Sequence, residues 1–174
     1  MAVEKHTPAQ LRRMEEYERA VDPALVAFYE QSQTMEEREA NRARHEVCKA
    51  GERLASALSR IVGVDALGWA VVLRAHHARH IFNRHGPAGR HDKSLADSSH
   101  VGRMAYVLEN FDEAGLLFDQ NGRAVESKEY KNADGTLAPV VNIRMRIDGL
   151  AAVQQAVPDS KAHCVYVVSM RIQK

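Results

Sequence analysis

The hydrophobic positions change period along this chain. Up to residue 61 they are sparse and helically spaced. Thr7-Pro8 reads as an N-cap with proline at the first helical position, followed by a weak stripe through Leu11, Met14 and Tyr17. Asp22-Pro23 restarts a short helix through Leu25, Phe28 and Tyr29. Glu36 and Glu37 after Thr34 suit a helix amino terminus. Met35–Arg60 then reads as one long helix containing Gly51, with a thin stripe through Val47, Leu54 and Leu58. From Asp65 to His85 a second helical pattern puts Leu67, Val71, Ala75, Ala78 and Phe82 on one narrow face, and Gly86-Pro87 stops it. Asp97 or Ser98 caps a further helix to about Asn110, with Val101, Met104, Ala105 and Leu108 as its apolar stripe.

After Asn110 the period shortens to that of strands. Leu116–Phe118 is short, and Ser127–Asn132 leads into the turn Ala133-Asp134-Gly135. Pro139–Ile147 alternates, with Val141, Ile143, Met145 and Ile147 on one face and Asn142, Arg144 and Arg146 on the other. Asp148-Gly149 is a hairpin turn signal. Leu150–Val157 returns, Pro158-Asp159-Ser160 turns again, and Cys164–Ile172 is the most strand-like run of all. Helices followed by an antiparallel meander make an α+β chain. The pattern divides it into a helical arm over residues 1–61 and an α+β domain over 62–174.

Composition excludes several classes. The 174 residues are 45% hydrophobic and 27% charged, enough for a sizeable core. The net charge of +1 rules out a global basic field, so nucleic-acid binding would need a local patch. Cys48 and Cys164 offer neither a disulfide framework nor a cysteine zinc motif, and a reducing cytoplasm is the expected compartment. The amino terminus has no apolar signal core, and the longest apolar run, near Ala66–Leu73, is far too short to span a bilayer. Nucleotide-binding glycine motifs and the GxSxG elbow are missing.

One local patch does stand out. Six of the nine histidines lie between residues 76 and 100, and residues 74–103 carry six Lys/Arg residues against Asp92 and Asp97. Histidine can move protons near neutral pH, and arginine beside it can hold a phosphate. On the predicted helix, Arg74 and His85 project near the apolar face that a sheet would cover. His76 and His80 project on the opposite side, near Trp69. His85 is therefore the leading candidate for a group directed into a helix–sheet groove, although a histidine in a last helical turn also serves the helix dipole. The His76-x3-His80 spacing allows a metal-dependent hydrolase with His85 or His91 as third ligand. That is the lesser alternative, and no metal or cofactor is expected.

From about residue 64 onward the sequence resembles the phage-associated branch of the Barnase–EndoU–Colicin–RelE (BECR) nuclease superfamily. The resemblance rests on the helix ending Arg84-His85-Gly86, on Ser94-Leu95-Ala96-Asp97, and on Val101-Gly-Arg-Met-Ala-Tyr-Val-Leu-Glu-Asn110. It continues through Tyr130-Lys-Asn-Ala-Asp-Gly135, Ala138-Pro139, Arg146-Ile-Asp-Gly149, Ala156-Val-Pro-Asp-Ser-Lys161 and Val167-Val-Ser-Met-Arg-Ile172. It implies one or two helices on a four- to five-stranded antiparallel sheet and metal-independent endoribonuclease activity. In that scheme His85 is the acid/base. Arg84, Arg144 or Arg146 hold the phosphate, with His80, Lys131 and Asn132 as further substrate contacts. Tyr130 and Ser169 are polar partners at the sheet. RNA is the expected partner, with a cognate inhibitor or phage structural protein as a further one and a homodimer through the N-terminal helices. The competing reading is a non-catalytic module that binds nucleic acid or a phage protein.

Overall fold

The computed structural model describes residues 5–174. Thr7 closes a capping box with Gln10 on α1, Pro8–Arg19. Asp22 caps α2, Pro23–Ser32. Both starts follow the sequence signals. The expected long helix over Met35–Arg60 breaks into three elements: α3 (Glu37–Ala40), β1 (Arg44–Lys49) and α4 (Glu52–Val62). Gly51 is the N-cap of α4 rather than an interior residue. The Asp65–His85 pattern also divides, into β2 (Ala70–Arg74) and α5 (Ala75–His85), with Leu67 in an exposed turn. The helix expected over 97–110 splits at Arg103 into α6 (Ser99–Gly102) and α7 (Met104–Asn110).

The remaining strands are β3 (Glu113–Leu116), β4 (Glu126–Lys131), β5 (Leu137–Pro139), β6 (Val141–Ile147), β7 (Leu150–Asp159) and β8 (Cys164–Gln173). The order β1-β2-β8-β7-β6-β3 forms one six-stranded sheet, and β4-β5 is a separate hairpin. The chain is thus α+β, but the sheet is mixed, because β2 runs parallel to β8. This corrects the expected all-antiparallel meander. The alternation along β6 is as read: Val141, Ile143, Met145 and Ile147 are buried and Arg146 is exposed. Asp148 and Gly149 both take positive φ, as the β6–β7 turn requires.

Nor is there a structural boundary at residue 62. β1 pairs with β2 inside the main sheet, and Tyr17, Leu25, Tyr29, Leu54 and Leu58 share one core with Val71, Leu73, Ile81, Met104, Ile143 and Met170. The helices cover this face. A second, smaller core of Val72, Tyr130, Ala138, Val140, Val157, Cys164 and Tyr166 lies beneath the β4–β5 hairpin. Val72 belongs to one core and its neighbours Val71 and Leu73 to the other, as strand alternation dictates. No helix among the described residues is long and apolar enough to cross a membrane.

Candidate functional site

The polar side chains converge where β2 passes directly into α5. Arg74, the last residue of β2, keeps extended backbone angles as the N-cap of α5. The first turn of the helix carries His76 and His77, and His80 follows one turn later. Facing them is β4, with Ser127, Lys128, Glu129 and Tyr130. An open groove of about 420 Å³ runs between, lined by His76, His77, His80, Lys128, Glu129 and Ser169.

A continuous hydrogen-bond network holds the groove's head. His76 Nε2 lies 3.0 Å from each carboxylate oxygen of Glu129. Since a carboxylate only accepts, the ring donates from Nε2. Arg74 reaches Glu129 at 3.4 Å, donates to the Tyr130 hydroxyl at 3.1 Å, and donates to the Asn41 carbonyl at 2.8 Å. The Tyr130 hydroxyl sits 2.8 Å from His77 Nε2. Accepting from Arg74, it has its own proton to donate to that nitrogen. Tyr130 is anchored by stacking on Tyr166, with centroids 4.2 Å apart and planes at 9°.

Electrostatics distinguish the histidines. Burial pushes His77 down to about 3, with neighbouring His76, Arg74 and His80 acting in the same direction. It is a neutral acceptor at pH 7, in keeping with the Tyr130 bond. His80 is lowered as well, first by burial and then by Arg84 and His85. Burial raises the Tyr130 hydroxyl against the opposing effect of the Arg74 hydrogen bond. The phenol therefore keeps its proton.

The sequence-expected residues divide between this groove and elsewhere. His80 and Ser169 line it, and Tyr130 supports its head. His85 does not reach it. The ring is 3% exposed and its Nδ1 meets the Asp92 carboxylate at 2.9 Å, under the loop that follows α5. The apolar face of α5 does bury His85, as its spacing predicted. However, what closes over it is the Gly86–Leu95 loop, whose Leu95 amide donates to the His85 carbonyl. Arg84 is exposed at the same end. Arg144 and Arg146 sit on β6, beside β3 and away from α5 and β4; Arg146 pairs with Glu113 at 3.1 Å. Lys131 is exposed at the end of β4, and Asn132 ties its own turn to Thr136 and Leu137. Trp69, expected near His76 and His80, stacks instead on His163.

Sequence reasoning missed His77, Glu129, Lys128 and Arg74 as members of one cluster. Glu129 lies 53 residues from His76, on a short hairpin outside the main sheet. No periodicity within one element could have joined them. Comparison with protein-family models, curated proteins and solved structures gives no match for this chain.

Proposed function

We propose that this protein is a metal-independent endoribonuclease of BECR type, acting in the His76–His80–Glu129 groove. The observation that carries this reading is the pairing of two imidazoles one helical turn apart, on the same wall of an open groove, with cations beside them. RNA cleavage without a metal needs a base for the 2′-hydroxyl, an acid for the leaving oxygen and positive charge for the phosphate. His80, lowered from its ordinary value, is neutral at pH 7 and takes the 2′-hydroxyl proton. The freed oxygen attacks phosphorus, and the bond to the 5′-oxygen breaks as His76, in its imidazolium form, passes its Nε2 proton to that oxygen and is left neutral. Glu129 fixes the His76 ring, while Lys128 and Arg74 supply charge to the phosphate. The products are a 2′,3′-cyclic phosphate and a free 5′-hydroxyl. The α5 helix packed against β8, in a sheet whose β6, β7 and β8 run antiparallel, supports a BECR-like arrangement, extended here by β1 and the parallel β2.

The test is incubation of purified protein with single-stranded RNA in EDTA. Cleavage leaving 2′,3′-cyclic ends is the expected result. Absence of cleavage, with salt-sensitive RNA binding retained, would replace the enzyme with a binding module.

A further inference from the structure

The head of the groove has a second chemical capacity. Two neighbouring imidazoles, with ring centroids 4.0 Å apart, converge on one carboxylate. His76, His77 and Glu129 each offer one ligand atom, and these atoms all lie within 4.8 Å of one another. Metal–donor bonds of about 2.0 Å in a tetrahedral site place donors roughly 3.3 Å apart. The His76 and His77 Nε2 atoms stand 3.0 and 3.8 Å from Glu129, on either side of that spacing.

We propose that His76, His77 and Glu129 form a binding site for one divalent transition-metal ion of the zinc type. Two nitrogens and one carboxylate oxygen suit Zn²⁺, Co²⁺ or Ni²⁺, whereas Mg²⁺ and Ca²⁺ require oxygen ligands. His77 already presents an unprotonated Nε2, now occupied by the Tyr130 hydroxyl proton. His76 ligates once its Nε2 gives up its proton. Glu129, with 43% of its side chain exposed, can swing onto the ion without disturbing the core. The fourth position faces the groove and is left for water, the arrangement of an accessible rather than a closed structural site.

The binding claim stands without the ribonuclease reading. Its consequence rests on that reading: an ion on His76 and Glu129 removes the acid and its orienting partner, so zinc switches cleavage off and EDTA restores it. The experiment titrates metal-free, full-length protein with Zn²⁺ by calorimetry and with Co²⁺ by visible absorption. One ion per chain is expected. His76→Ala and Glu129→Gln, each shown folded by circular dichroism, should weaken binding by more than the ~10- to 100-fold caused by loss of an outer partner. His91→Ala, at an exposed site beyond the end of α5, should bind as wild type does. Lack of saturable binding, or binding that survives both the His76 and Glu129 substitutions, would overturn the proposal. RNA cleavage that fails in EDTA while Zn²⁺ still binds would remove the ribonuclease and leave the metal site standing.

Discussion

The two ends of α5 use the same residue type for different purposes. At the amino end, His76 and His80 line an open groove, where His76 meets a half-exposed carboxylate from a distant hairpin. At the carboxyl end, His85 is sealed beneath its own following loop and paired with Asp92, seven residues away. Burial opposes charge on Asp92, but hydrogen bonds from Ser94, and then from His85, outweigh it and hold the carboxyl at about 2. A histidine–carboxylate pair is thus not diagnostic by itself. Access decides: the first pair opens to a ligand-sized groove, and the second closes a helix end.

This contrast can be broken most sharply at His80. His80→Ala should reduce RNA cleavage by about 100-fold or more, the usual contribution of a general base, without moving the melting temperature, because the side chain is exposed. Initial rates and a thermal melt check both halves. His85→Ala should do the reverse. It removes a buried, charge-assisted hydrogen bond and should cost about 2–3 kcal/mol of stability, measured by urea unfolding, with cleavage retained at temperatures where the variant is folded.

Tyr130→Phe probes the support beneath the groove. It leaves His77 Nε2 and one Arg74 N–H without their partner, for a loss of roughly 1–2 kcal/mol and a smaller loss of activity than at His80. Stability also depends on pH. His77 is held near 3 in the folded protein against an ordinary value of 6.5. Below pH 6.5 the unfolded chain takes up a proton that the folded chain refuses, so stability falls as pH drops from 6.5 toward 3. Asp92 adds its own loss only below 3.8, its ordinary value. His77→Gln should flatten the upper part of this decline in a series of melts.

Much of the architecture could be read from the residues. The alternation of β6, the Asp148-Gly149 turn, the caps at Thr7 and Asp22 and the stop at Gly86 are local signals, and local physics honoured them. β1 and β2 escaped for two different reasons. β1 is an edge strand within a charged stretch, with no clean alternation. In β2, Val71, Val72 and Leu73 are buried on both faces, and such a run carries no period that separates it from a helix. No breaker stands between Arg74 and Ala75, so strand and helix merged into one expected element. The site suffered from the same limit. Facing along α5 was read correctly for His85, but facing does not reveal whether a loop or a groove covers that face. Glu129, the residue that turns His76 from a surface histidine into an oriented one, comes from outside the sheet that the pattern described.

The most direct test sets His76→Ala beside His85→Ala in one RNA-cleavage assay in EDTA, below the melting point of both. The account predicts that cleavage is lost with His76→Ala and persists with His85→Ala. Loss of cleavage on replacing His85, with full activity in the folded His76 variant, would contradict it.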